Sequence, residues 1–358
     1  MKDLGDNKLM YSIREGLTFD DVLLVPQHSD VNSRESDVDI SVKIKNVTYL
    51  HPIIPANMQS ITGENMAKAV IDSGGLAILH RFMPIEDQIN IVNNFRIKNQ
   101  SALVTCDILD HLAVSVGVKE PYKDYIKRFM DLGIRVFCID IAHGDSSHGV
   151  DMTNWLRNYY SDSLIISGNV ATGYGAKRLW SAGADIVKVG VGPGSLCTTR
   201  IETGCGVPQL TALMDVAKAR IEQEDINDFQ HPYYIISDGG IKNAGDVVKA
   251  LCFSDMVMAG NIFAGCDETP GTILSIMSKT YKEYKGSSTH KTSHIEGVAA
   301  IVPTKGKFDS VLNKLLEGLR SGCSYQGAHK LLELQDNPEF VKITNAGLIE
   351  SHPHNIMG

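Results

Sequence analysis

Through the middle of the chain, short apolar β-branched runs alternate with longer segments whose apolar residues recur every three or four positions. The runs predict strands at His51–Met58, Leu76–His80, Leu112–Val118, Val136–Ala142, Leu164–Val170, Asp185–Gly190, Tyr233–Ser237 and Asp255–Ala259. The longer segments predict helices at Gly63–Ser73, Ile85–Ile97, Tyr122–Leu132, Ala176–Ala182, Leu210–Ile221 and Ala244–Leu251. Runs such as Leu164-Ile165-Ile166 are apolar throughout rather than alternating, as expected of parallel strands covered by helices. Eight strands separated by helices predict an α/β chain folded as a (β/α)₈ barrel. A doubly wound open sheet would need a glycine-rich dinucleotide fingerprint after its first strand. Pro55-Ala56-Asn57-Met58 stands there instead. The run Gly190-Val191-Gly192-Pro193-Gly194-Ser195 comes late, contains proline and lacks the third glycine.

Polar and glycine-rich residues follow the strands rather than precede them: Asn57-Met58-Gln59, His80-Arg81, Asp140 to Gly144, Gly168-Asn169, Gly190 to Thr199, Ser237 to Gly240 and Gly260-Asn261. In a barrel these ends converge on one face, where an active site is expected. Nothing in the pattern marks a second domain, so residues 1–358 are read as one barrel domain. Lys279 to Lys307 is polar and is expected to act as a mobile flap over the mouth. The tail from Phe308 onward carries an amphipathic helix from Val311 to Leu319.

Composition narrows the function. Apolar residues make up 43% of the chain, enough for a full core, which excludes disorder. The net charge of −8 makes nucleic acid and anionic membranes poor partners, although a few backbone N–H groups still suffice to hold a phosphate. The seven cysteines are odd in number, widely spaced and form no CxxC pair. A disulfide framework and a structural zinc site are therefore not expected. The first residues lack the apolar core of a secretory signal, and no apolar run is long enough to span a membrane, so a cytoplasmic location is expected.

Three places carry candidate chemistry. Gly192-Pro193-Gly194-Ser195-Leu196-Cys197-Thr198-Thr199-Arg200 reads as a loop that presents a thiol, with Arg200 positioned in sequence to favour a thiolate nucleophile. Asp238-Gly239-Gly240 and Gly260-Asn261 follow the last two strands, where barrels often hold phosphate. Asp238 there reads equally as an acceptor for ribose hydroxyls or as a helix cap. Glu296 alone reads as a solvated loop carboxylate. His80 and His143 read as histidines near a ligand rather than on it, and His290, His294, His352 and His354 make no credible metal set.

From the cysteine loop outward, the chain resembles the IMP dehydrogenase/GMP reductase family over nearly its whole length. The resemblance runs through Leu17 to Pro26, Asp140-Ile141-Ala142-His143-Gly144, Gly168-Asn169-Val170, Asp238-Gly239-Gly240-Ile241, Gly318-Leu319-Arg320-Ser321 and Glu350-Ser351-His352-Pro353-His354. It implies a (β/α)₈ barrel, a purine nucleoside monophosphate substrate and a nicotinamide cofactor. Ala56-Asn57-Met58-Gln59, His80-Arg81-Phe82, Thr203-Gly204 and Tyr281 to Ser287 are similar to the reductase branch. Only seven residues separate Ser288 from Glu296, and none is the Arg or Tyr of the dehydrogenase water-activating pair. Little more than a linker separates Ile97 from Leu112, so the regulatory modules that most dehydrogenases insert there are absent. Lys342 to His354 is similar to the dehydrogenases instead.

The resemblance thus implies a GMP reductase, which turns GMP and NADPH into IMP, ammonia and NADP⁺. It assigns Cys197 as nucleophile and Thr199 with Glu296 as the acid for the leaving amine. Ser195, Gly240, Gly260 and Tyr284 would hold the 5′-phosphate, Asp238 the ribose, and Met58 and Ser288 the base. Asp140 would face the nicotinamide. The carbonyls of Gly192, Gly194 and Cys197 match a monovalent-cation loop for potassium, and the tail pattern implies a homotetramer. Two other readings stay open: an NAD-dependent IMP dehydrogenase without the inserted modules, and a non-catalytic nucleotide-binding barrel.

Overall fold

The computed structural model of the protein describes residues 13–101, 108–226, 232–286 and 299–353. Among these, eight parallel strands form a (β/α)₈ barrel: Ile53–Pro55, Ala77–Leu79, Leu112–Val116, Val136–Asp140, Leu164–Val170, Ile186–Val189, Tyr234–Asp238 and Met256–Ala259. From the second strand to the eighth each pairs in parallel with the next, and the eighth pairs with the first. The first and second strands lie side by side without a ladder, so packing alone closes the ring there. All eight expected strands are present. Their central residues, such as Ile54, Ile78, Val114, Phe137, Ile166 and Val187, are fully buried, because helices cover the outer face and the opposite strands fill the inner one.

Helices return the chain from each strand to the next. Those at Glu64–Asp72, Ile85–Ser101, Pro121–Asp131, Gly173–Ser181, Gln209–Ile226 and Ala244–Leu251 match the expected segments. The helix at Ser147–Tyr159 was not legible from periodicity. Its start, Ser147-His148-Gly149, is a poor helix former, and the Ser146 side chain compensates by accepting from the Gly149 N–H. Gly149 is needed there, since a Cβ would lie 2.3 Å from the Gly144 carbonyl oxygen. The Thr153 and Ser167 hydroxyls then bond at 2.9 Å and tie this helix to the fifth strand.

The stretch after the eighth strand differs from expectation. Leu274–Ile276, Lys279–Lys285 and Ala299–Pro303 form an antiparallel three-stranded sheet, so both ends of the expected flap are strands. Residues 287–298 lie outside the described part. Ser60 anchors the sheet to the barrel, donating to the Lys285 carbonyl and accepting from the Lys285 N–H, each at 3.1 Å. The tail helix is longer than expected, Phe308–Tyr325, and buries Leu312, Leu315 and Leu319. Val22–Leu24 pairs antiparallel with Phe340–Lys342, which brings the early and late parts of the chain together.

Candidate active site

The strand ends surround a cavity of about 600 Å³, within the usual range for a small-molecule site. Every described residue named above as a site candidate lines it: Met58, Asp140, Gly192, Gly194, Ser195, Cys197, Thr199, Asp238, Gly240, Gly260 and Tyr284. Ser288 and Glu296 lie outside the described residues.

The nucleophile candidate sits on a turn after the sixth strand. The Cys197 N–H donates to the Gly194 carbonyl at 3.0 Å, which folds the turn back on itself. The Cys197 thiol donates to the Thr199 hydroxyl at 3.2 Å. Thr199 opens the short helix Thr199–Thr203, so its position follows from helical geometry two residues beyond the sulfur. Arg200 has a different role from the one its neighbourhood in sequence suggested. Its guanidinium donates to the Val191 carbonyl at 3.2 Å and the Val207 carbonyl at 2.6 Å, stapling the two ends of the loop. Gly192, at φ +87°, lies under that side chain, where a Cβ would come within 2.4 Å of the Arg200 stem.

On the same loop, the Ser195 hydroxyl lies 3.3 Å from that of Tyr284. Tyr284 is buried in the added sheet, and burial pushes its phenol above the ordinary value while the Ser195 bond opposes the shift. A Cβ on Gly260 would stand 2.8 Å from the Tyr284 hydroxyl, so glycine there lets the ring reach the cavity. Asp238 is not a helix cap. The following helix is capped by Asn243, whose side chain accepts from the Asp246 N–H at 3.0 Å.

Asp238 belongs instead to a buried charge network that the sequence reading missed. The Lys188 ammonium, on the sixth strand, bonds Asp238 at 2.8 Å, Asp140 at 3.1 Å and the Asn169 side-chain oxygen. Asn169 also donates to Asp238 at 2.9 Å and to the Gly190 carbonyl at 2.7 Å. Arg81, from the end of the second strand, donates to the Asp140 carbonyl at 3.0 Å. Burial works against the Lys188 charge, but the Asp238 and Asp140 carboxylates outweigh it and hold the ammonium well above the usual lysine value. Burial likewise works against the Asp140 charge, and Lys188 with Arg81 reverses that, leaving Asp140 below the usual carboxylate value. The available signal was a lysine inside an otherwise apolar strand, Ile186-Val187-Lys188-Val189.

His80 is buried and accepts from the Phe82 N–H at 3.1 Å, whereas His143 is exposed. Among the described residues no group of His, Cys, Asp and Glu is arranged to hold a metal ion. A cation on the cysteine turn would therefore rest on backbone carbonyls, of which that of Gly194 already accepts one bond. No described helix is long and apolar enough to cross a membrane.

Comparison with known proteins agrees with this geometry. The model of the IMP dehydrogenase / GMP reductase domain matches residues 16–354. A protein of Nitrosopumilus maritimus named inosine-5'-monophosphate dehydrogenase is 32% identical over 480 residues, covering 96% of this chain and 99% of that protein. One of the same name from Aquifex aeolicus is 32% identical over 481 residues, covering 96% of each. One from Staphylococcus aureus is 29% identical with the same coverage. These alignments are longer than the chain itself, so the relatives carry additional residues inside the aligned span.

Proposed function

Because the chain belongs to the IMP dehydrogenase / GMP reductase family, we propose that it is a nicotinamide-dependent oxidoreductase acting at C2 of a purine nucleoside 5′-monophosphate, and that it runs as a GMP reductase. The observation that carries the direction is the stretch between Ser288 and Glu296, seven residues without Arg or Tyr. A dehydrogenase must activate water at that place, whereas a reductase needs only an acid for departing ammonia.

In this reading the Cys197 thiolate attacks C2 of the guanine ring. Thr199, bonded to the sulfur, works with Glu296 to protonate the exocyclic amine, which leaves as ammonia and gives a thioimidate on Cys197. A nicotinamide cofactor beside Asp140 and Arg81 would supply hydride to C2, and the Cys197 sulfur departs as IMP forms. The Ser195 and Tyr284 hydroxyls and the backbone at Gly240 and Gly260 hold the 5′-phosphate. Asp238, held by Lys188, accepts from the ribose hydroxyls. Met58 and Ser288 line the base. The room beside Asp140 and Arg81 takes the nicotinamide, NADPH in the reductive direction. The carbonyls of Gly192, Gly194 and Cys197 would hold a potassium ion, and a neighbouring subunit of a homotetramer would supply further ligands.

The names of the relatives favour a second reading, IMP dehydrogenase, in which the same cysteine adduct forms from IMP and NAD⁺ and water releases XMP. One assay separates them. Purified protein is given GMP with NADPH, and separately IMP with NAD⁺, while reduced cofactor and ammonia are followed. Cofactor oxidation with stoichiometric ammonia supports the reductase. Reduction of NAD⁺ by IMP with no reaction in the other direction establishes the dehydrogenase. Nucleotide binding without either reaction leaves a binding barrel.

A further inference from the structure

Asp140, Gly168 and Lys188 occupy one register across the fourth, fifth and sixth strands, and Asp238 stands two residues beyond the register partner of Lys188 on the seventh. Gly168 has no side chain between its two neighbours, and a Cβ there would come within 2.7 Å of the Lys188 Cβ. The lysine is therefore free to reach across the fifth strand to Asp140 while also holding Asp238. Lys188 is 2% exposed, so water contributes little to the balance of these charges. The described charged or titratable groups around it are Asp140, Asp238, Arg81 and Cys138.

From this geometry we propose that Lys188 is a positioning residue: it fixes the Asp238 carboxylate where it accepts from the ribose hydroxyls and couples it to Asp140, the second carboxylate on the same ammonium. The inference rests on reading the cavity as a nucleotide site. Asp238 has few ways to keep its place without Lys188. Its remaining bond comes from Asn169, whose oxygen is itself held by the same ammonium. Without the ammonium the two carboxylates lose the cation they share, and Asp238 is left with the Asn169 amide, itself released from Lys188. A carboxylate that is no longer held in one place makes a poorer acceptor for the ribose hydroxyls.

The test compares Lys188→Met with the unaltered protein by calorimetric binding of GMP and of 2′,3′-dideoxy-GMP. The expected result is a loss of GMP affinity of about 10- to 100-fold, the scale of a hydrogen bond to a charged group. Dideoxy-GMP, which has no hydroxyls for Asp238, should bind the variant within about threefold of the unaltered protein, since its hydrogen bonds to the site are unchanged. Lys188→Arg, which keeps the charge, should recover part of the GMP affinity. Equal losses for both nucleotides would overturn the proposal, because a loosened fold does not distinguish them. If Lys188→Met is not obtained folded, Lys188→Met/Asp140→Asn removes one buried carboxylate and is measured in its place. Failure of that variant to fold as well would show that Lys188 holds the barrel rather than Asp238, and would also overturn the proposal. Failure of the unaltered protein to bind GMP at all would sink the nucleotide reading itself, and is seen before any variant is made.

Discussion

The cysteine loop and the strand-end charge network line one cavity and are built on different principles. The loop, from Gly190 to Val207, is held largely by its own backbone: a turn from Gly194 to Cys197 and an arginine staple onto two carbonyls. The network is held by side chains from separate strands, Asp140, Asn169, Lys188 and Asp238, with Lys188 nearly inaccessible to water. A loop closed on local bonds presents a reactive group and can shift as chemistry proceeds. A network of mutually satisfied buried charges resists movement, because leaving any member unpaired is costly. The contrast suggests a division of labour between Cys197, which reacts, and Asp238, which orients, with Ser195 on the loop adding a hold on the phosphate.

The sharpest way to break that division is Cys197→Ala. Turnover should fall by about 10⁴-fold or more, as when a nucleophile is removed elsewhere, while GMP binding by calorimetry stays nearly unchanged. Residual turnover of more than a few per cent would mean that Cys197 is not the nucleophile, and lost binding would mean that its side chain also orients the nucleotide.

Glu296→Gln asks whether the reacting wall is completed from beyond the loop. Deamination of GMP should slow by about 10²–10⁴-fold. Hydride transfer needs no such proton, so a single-turnover burst of NADPH from IMP and NADP⁺ should survive in the variant. Equal loss in both measurements would reduce Glu296 to a positioning role.

Gly192→Ala tests the staple. The new Cβ has to displace the Arg200 stem and sits at a φ that only glycine tolerates easily. Displacing the sulfur by about an ångström should cost roughly 10–100-fold in kcat, with KM for GMP changed little. A rise in KM alone would place the loop with the orienting wall.

The smallest effect is that of acid, which acts on the barrel outside both walls. Burial lowers His80, at the end of the second strand, and His51, at the start of the first, to about 4. The loop from Gly190 to Thr199 carries no histidine. A folded value below the unfolded one means that the unfolded chain binds more protons as pH falls. Stability from these rings is complete above about 6.5, is lost as pH drops toward 4, and amounts to roughly 3 kcal/mol per ring. Melting temperature should decline through that window, and His80→Gln should flatten the decline. A melting temperature constant down to pH 4.5 would contradict the assignment.

The two walls also differ in how far the sequence revealed them. Eight strands and six helices were readable because an apolar run between polar ends is a local signal. The cysteine loop was readable for the same reason, since Gly192 to Thr199 is contiguous. Lys188 was not, because its meaning lies in partners from other strands: Asp238 stands 50 residues away and Asp140 on the far side of the fifth strand. Arg200 was seen but misjudged. Adjacency to Cys197 suggested electrostatics, whereas the backbone turns its guanidinium onto carbonyls. The three-stranded sheet was hidden by the three lysines and the glutamate of Lys279–Lys285, which read as loop until a partner strand is known.

The pairing of Val22–Leu24 with Phe340–Lys342 has a consequence for how the protein comes into being. A ribosome makes the two halves of that ladder far apart in time, and closing so wide a span carries an entropic penalty with no reward until the second half emerges. The barrel strands and the cysteine loop are all translated before Phe340, so the nascent chain can build its cavity while the clasp is still open. Messages truncated shortly before codon 340 should therefore yield chains with a formed barrel and a free leading edge, which quality-control proteases would trim from that edge first.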